Sequence, residues 1–221
     1  MDRTTPLASG RDADVFALDG ERVLRRNRDG RSPAAEAAVM EHVAAHGFPA
    51  PRVHSVEGPD LVMERLHGPS LLHAALAGEV TAEEAARIMA DLQGRLHSLP
   101  APGGAGALLH LDLHPDNIVL TGAGPVLIDW TNARTGEADL DVAMSALILA
   151  QVSLADTFPE PVSALAGAGL AAFLEHTGGD PARLLEAAVD LRAADPNLAP
   201  EEEAVLAAAA AAIRGRTAAR P

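Results

Sequence analysis

The chain has 221 residues, 48% of them hydrophobic and 22% charged, a balance that supports one domain or two small lobes around a buried core and excludes a disordered tail. A formal net charge of −14 excludes the clustered cations on which general nucleic-acid affinity depends, so no nucleic-acid partner is expected. There is no Cys, and all 17 basic residues are Arg, which excludes disulfides, thiolate metal sites and lysine Schiff-base chemistry.

Met1-Asp2-Arg3-Thr4-Thr5-Pro6 shows no basic stretch leading into an apolar one, so no secretory leader is read and a cytoplasmic location is expected. Residues 6–10, 14–18 and 21–26 then read as strands, the last two joined by Asp19-Gly20, a strong hairpin signal. Ser32-Pro33, the alanine-rich run 34–45 and Gly47 supply the start, body and stop of a helix. Pro49 and Pro51 restart an extended chain, with strands expected at 52–56 and 60–65 around the Glu57-Gly58-Pro59 turn.

After His67-Gly68-Pro69 the pattern turns helical, over 70–76 and again behind the Thr81 cap, with Glu84 three residues on, through Leu96. Residues 117–120 and 126–128, separated by Thr121-Gly122-Ala123-Gly124-Pro125, read as a hairpin among helices. Helices are then expected over 138–154, 161–176, 181–194 and 200–214. The most apolar stretch, 142–152, is too short to span a bilayer, so no membrane partner is expected. Strands first and helices afterwards imply an α+β fold. A small antiparallel sheet lobe with one helix is expected over residues 1–66, and a larger helical lobe over 67–221.

Chemistry concentrates in His110-Leu111-Asp112-Leu113-His114-Pro115-Asp116-Asn117, followed by Asp129-Trp130 at the end of Val126-Leu127-Ile128. In a chain of this composition a His-x-Asp-x4-Asn match arises by chance roughly 0.01 times, and roughly 0.001 times with the later Asp added. Phosphoryl transfer needs a carboxylate beside the acceptor hydroxyl and oxygen ligands for a Mg²⁺ that bridges the nucleotide phosphates. A turn followed by a hairpin supplies both: Asp112 projects from the turn toward the acceptor, while Asn117 enters the first strand and Asp129 leaves the second, so that Asn117 and Asp129 converge on one metal. Hard oxygen ligands suit Mg²⁺. The alternation His110, Asp112, His114 also matches a Zn²⁺ cluster, which leaves a metal-dependent hydrolase open as a further reading.

These motifs resemble the aminoglycoside phosphotransferase family, small-molecule kinases that share the protein-kinase fold. His114 within His-x-Asp-x-His-x-x-Asn, and Ile128-Asp129-Trp130 where protein kinases have Asp-Phe-Gly, favour that branch. The resemblance implies Asp112 as catalytic base, Asn117 and Asp129 as metal ligands, His110 and His114 as supports of the loop, and Asp141 as the helix-start carboxylate that braces it. In the sheet lobe it implies Val23 against adenine, Arg25 in the place of the family's phosphate-binding Lys, and Glu36 as its ion-pair partner. Arg25 departs from the family pattern, because a planar guanidinium places its charge differently from an ammonium. Leu61 to Gly68 resembles the strand leading into the interlobe hinge, with Met63 beside adenine and backbone groups from Glu64 to Leu66 meeting its edge. Gly10, in Ser9-Gly10-Arg11-Asp12, is the one glycine of a thin phosphate-covering turn.

The activity implied is phosphorylation of a small-molecule hydroxyl with ATP or GTP and Mg²⁺, by a monomer or a homodimer. The alternative is a catalytically weak or inactive relative that binds a nucleotide or small molecule as a sensor. Arg25 and the thin glycine turn favour it, whereas a base and two metal ligands all in place speak against it.

Overall fold

The computed structural model describes residues 5–10 and 12–218, which divide into two units: one formed by residues up to 68 with 119–133, the other by 69–118 with 134 onward. The first is built on a five-stranded antiparallel sheet of β1 (Ala8–Ser9), β2 (Ala13–Ala17), β3 (Arg22–Asn27), β4 (Val53–Glu57) and β5 (Asp60–Glu64). The spatial order is β1-β2-β3-β5-β4. The β2–β3 turn closes because the Asp19 carboxylate accepts the backbone N–H groups of Glu21 and Arg22 at 2.9 and 2.8 Å, a local bond that asparagine and aspartate supply readily. In register, Val23 faces Met63 and Arg25 faces Leu61, so these four share one side of the sheet while Leu24 and Val62 share the other.

Helix α1 (Ala34–Ala45) follows, and its start departs from the expectation. Its N-cap is Pro33, without a side-chain hydrogen bond, so Ser32 does not cap it. A proline at the boundary has no N–H to satisfy and a preset φ, which is sufficient to begin the helix. Ala37, Met40 and Val43 are buried beside Phe48, and Phe48 meets Trp130 edge-on at 5.7 Å between ring centroids. The hairpin of β7 (Ile118–Thr121) and β8 (Gly124–Leu127) joins this unit over residues 119–133, with Leu127 N–H donating to Pro49 O at 3.0 Å.

Gly68, at φ +148°, lies so close to the hairpin that a Cβ there would stand 1.9 Å from Leu120 O. No L side chain fits without moving backbone. Gly68→Ala is expected to cost about 1–3 kcal/mol in backbone strain alone, visible as a lower denaturant midpoint; an unchanged midpoint would refute this account of the contact.

The second unit is mainly helical: α2 (Leu71–Leu76), α3 (Ala82–His97), α4 (Ala138–Leu154), α5 (Glu160–His176), α6 (Leu185–Ala193), α7 (Pro200–Ala204) and α8 (Leu206–Thr217). Thr81 and Glu84 form the expected capping box on α3. The apolar run 142–152 is the middle of α4, which packs on α5, α6 and α8 and is buried continuously from Asp141 to Gln151. A helix apolar on every side is a core helix. Its buried polar groups are each partnered: Gln93 donates to Ser145 Oγ at 3.1 Å, and Gln151 donates to Glu202 O at 3.0 Å and accepts from Arg192 at 3.1 Å. Among the described residues no helix is long and apolar enough to cross a membrane.

Two expectations of the helical region change. The helix expected from residue 181 starts at Leu185, because Asp139 accepts from Asp180 N–H at 3.1 Å and from Arg183 Nε at 2.5 Å and holds the preceding residues as a turn. The helix expected over 200–214 is broken at Val205 (φ −98°, ψ −1°), which lets α8 bury Leu206, Ala209, Ala210 and Ile213. The sequence reading also lacked a pairing: β6 (Ala107–Leu109) and β9 (Arg134–Gly136) form a two-stranded antiparallel ladder. Three-residue strands carry no readable period, and these lie 25 residues apart along the chain.

Candidate active site

The loop 110–117 is set by a carboxylate that is not part of it. Asp141, in the first turn of α4, has a fully buried side chain. Its Oδ1 accepts the backbone N–H groups of His110 at 3.1 Å and Leu111 at 2.6 Å, and its Oδ2 lies 2.8 Å from His97 Nε2. Burial pushes the Asp141 carboxyl toward its neutral form, but the hydrogen bond and charge of His97 and the Leu111 N–H outweigh it and hold the group below its ordinary value. Leu111 is thereby kept at φ +63°, a left-handed conformation that costs a non-glycine residue about 1–3 kcal/mol.

Asp112 is half-buried and closely held. Its backbone N–H donates to His110 Nδ1 at 3.3 Å, and Asn117 Nδ2 donates to its carbonyl at 2.9 Å and its carboxylate Oδ2 at 3.1 Å. His114 Nε2 stands 3.8 Å from Asp112 Oδ1, while His114 Nδ1 accepts Asp116 N–H and starts the 3₁₀ turn Pro115–Asn117. His110, Asp112, His114, Asn117 and Asp141 are thus gathered in the helical unit. His97 was missing from the sequence reading, since a residue in the last turn of α3 has no local signal of a partner 44 positions on.

In the sheet unit the structure gathers Arg25, Glu36 and Asp129. Arg25 NH1 pairs with Glu36 Oε2, with both side chains largely buried. Burial pushes the Glu36 carboxyl up; the Arg25 charge opposes this, and the Asp129 charge adds to it. The Trp130 backbone N–H also donates to Glu36, tying α1 to the residues after β8. Asp129 sits at φ +62° and keeps a 46% exposed side chain. Thr131, which the sequence reading passed over, lies between them: Arg25 NH2 donates to its Oγ1 at 2.9 Å, and its hydroxyl donates to Asp129 Oδ1 at 2.8 Å.

Val23 and Met63 are cross-strand partners on the Arg25 face. At the end of β5, Glu64 N–H donates to Arg52 O and Arg65 N–H to Glu21 O, both at 2.8 Å. Of the three amides expected to meet a base edge, that of Leu66 is the one without a partner among the described residues. Gly10 closes the β1–β2 turn through its N–H to Ala13 O at 2.9 Å, and Arg28 donates to its carbonyl at 2.9 Å. Arg11, the next residue of that turn, lies outside the described residues, as do Met1 to Thr4.

Each unit, taken by itself, offers an oxygen of the type that suits Mg²⁺. Asn117 spends its amide N–H on Asp112 and keeps Oδ1 unbonded, and Asp129 keeps Oδ2 unbonded, among the described residues. Each is a hard oxygen of the kind Mg²⁺ prefers. Among the described residues no three His, Asp or Glu side chains are grouped to hold a metal by themselves, so the His110, Asp112, His114 alternation does not fold into a zinc cluster.

The sequence profile of the phosphotransferase enzyme family matches residues 3–107 and 99–187, most of the chain. The chain belongs to the phosphotransferase enzyme family. This family member is 32% identical, over 119 residues, to a probable bifunctional tRNA threonylcarbamoyladenosine biosynthesis protein of Methanoculleus marisnigri, covering 54% of this chain and 19% of that protein. It is 57% identical over 37 residues to a thiamine kinase of Salmonella paratyphi B, covering 17% of this chain and 14% of that kinase. The matches thus span about a fifth or less of these curated relatives. Among solved structures, amicoumacin kinase hAmiN, in complex with AMP-PNP, Ca²⁺ and Ami, superposes with a TM-score of 0.54 at 14% identity, over 97% of this chain and 89% of that one. An antiparallel sheet unit followed by a helical unit is therefore the kinase-like fold that the sequence pattern implied.

Proposed function

We propose that this phosphotransferase-family protein transfers the γ-phosphoryl group of ATP, or GTP, to a hydroxyl on a small molecule, with Mg²⁺. The observation that carries the reading is the Asp112–Asn117 pair on a loop held open by Asp141 at the cost of a left-handed Leu111. Strain of that kind persists where the surroundings over-determine it, and it is spent here on aiming one carboxylate.

In this reading Asp112 Oδ1 accepts the acceptor's hydroxyl proton as the hydroxyl oxygen bonds to the γ-phosphorus. The bond from that phosphorus to the β–γ bridging oxygen breaks, and ADP leaves with its electron pair. By the family pattern Asn117 and Asp129 would be the metal's protein ligands, and the metal would supply charge neutralisation at the phosphate oxygens. Arg25, fixed by Glu36, steadies the phosphates with N–H groups beyond the two already committed, since a guanidinium carries five. Val23 and Met63 offer the apolar face on which adenine lies, Leu66 N–H and the Glu64 carbonyl its edge contacts, and Gly10 the phosphate-covering turn. His110, His114 and Asp141 position Asp112 and do not react. Positioning and charge neutralisation supply most of the acceleration. The acidic surface implied by a net charge of −14 disfavours a nucleic-acid partner and is compatible with a cationic acceptor.

A thermal-shift titration with ATP and Mg²⁺ tests the reading without knowledge of the acceptor. Ligand at 100 times its Kd adds about 2.7 kcal/mol, roughly 5–10 °C for a chain of this length. The wild type is expected to show that shift, and Asp129→Asn to lose its Mg²⁺-dependent part. No shift with either ATP or GTP would overturn the proposal and leave the sensor reading in its place.

A further inference from the structure

The Arg25 guanidinium has a second engagement beyond its ion pair with Glu36. Its NH1 is spent on Glu36, and its NH2 donates to Thr131 Oγ1 at 2.9 Å, with Asp129 Oδ1 standing 3.9 Å from the same nitrogen. The Thr131 hydroxyl has one proton to give and gives it to Asp129 Oδ1 at 2.8 Å. The bonds therefore run in one direction, from Arg25 through Thr131 to Asp129, and start from a cation anchored in a largely buried pair. A lysine ammonium at position 25 would carry its donors on a single nitrogen at the end of a flexible stem, whereas the guanidinium carries them on separate nitrogens in a fixed fork.

We infer that Thr131 is a positioning residue for the metal-binding carboxylate. Together with the forked cation of Arg25 it holds Asp129 Oδ1 and leaves Oδ2, unbonded among the described residues, to a divalent cation. The inference rests on the proposed function, because it assigns Asp129 to the metal, and it goes further by naming what aims that ligand. It also gives Arg25 a reason to be arginine: the fork that reaches Thr131 is the part lysine lacks. Asp129 needs such a hold. Its side chain is 46% exposed and its backbone is left-handed, so burial does not select its rotamer, and its bond from Thr131 is the one hydrogen bond it has among the described residues. A carboxylate already held in place binds its cation without the further cost of ordering a side chain.

The test compares Thr131→Val, which keeps the shape and removes the hydroxyl, with Thr131→Ser, which keeps the hydroxyl and removes a methyl. Melting is followed with a fixed ATP concentration, in EDTA and across a Mg²⁺ titration. The expected result is that Thr131→Val keeps the shift ATP produces in EDTA but needs about tenfold more Mg²⁺ for its half-maximal further shift, while Thr131→Ser stays within a factor of two of wild type. A merely structural role lowers the ligand-free melting point and leaves the Mg²⁺ midpoint where it was. A Thr131→Val midpoint equal to wild type, or a Thr131→Ser midpoint displaced as far as that of Thr131→Val, overturns the inference and leaves the proposed function standing. A wild type with no Mg²⁺-dependent shift overturns both.

Discussion

Asp112→Asn is expected to lower Mg²⁺-dependent ADP formation by about 10²- to 10⁴-fold, the usual worth of a positioned general base. The substitution is nearly isosteric. The Asp112 carbonyl still accepts from Asn117 Nδ2, and its N–H still donates to His110 Nδ1, because both bonds are made by the backbone of residue 112. What is lost is a carboxylate that can take a proton. The Mg²⁺-ATP thermal shift of the variant should accordingly stay close to that of wild type while turnover falls, and slow ADP release into water allows both to be measured before an acceptor is known. Retained turnover would remove Asp112 from the proposed chemistry. Loss of turnover together with the nucleotide shift would instead make Asp112 part of nucleotide binding.

The largest loss of stability is expected at Asp141. Asp141→Ala leaves two buried donors, the N–H groups of His110 and Leu111, and the part-buried ring of His97 without their shared acceptor. Removing one partner of a buried, hydrogen-bonded charge costs about 3–5 kcal/mol, roughly 6–20 °C in melting temperature for a chain of this length. Asp141→Asn retains the size and one acceptor, so it should fold with an intermediate loss and keep the question measurable if the alanine variant does not fold.

The same carboxylate sets a pH dependence. Its ionised form is favoured in the folded protein, below the ordinary value of 3.8, so its contribution is fully present above that value and is lost as pH falls through the folded-state value. The gap in denaturant midpoint between wild type and Asp141→Asn should therefore be widest near pH 7 and narrow progressively below about pH 4. A gap that does not change with pH would mean that ionisation of Asp141 contributes nothing to the hold on the loop.

Much of this molecule was legible because its signals are local. Period-two alternation placed Val23 and Arg25 on one side of β3, and the β3–β5 register puts Met63 and Leu61 beside them. Thr81 and Glu84 announced a helix start three residues apart and delivered it. The spacing His110, Asp112, Asn117, Asp129 pointed to a family and to a kinase-like fold, because those residues lie within 20 positions of one another and can be read together.

Local order along the chain dictates which residues form which strand, turn and helix, since those choices depend on neighbours within a few positions. Tertiary structure alone decided how the polar groups are spent. His97 meets Asp141 across 44 positions, Arg25 meets Thr131 across 106, and β6 finds β9 beyond the hairpin. Each of these partners is chosen by how helices and sheet pack, and packing depends on surfaces assembled from distant parts of the chain. The helix break at Val205 has the same origin, for an alanine-rich run is helical by propensity wherever it lies, and the burial of Leu206, Ala209, Ala210 and Ile213 is decided by packing.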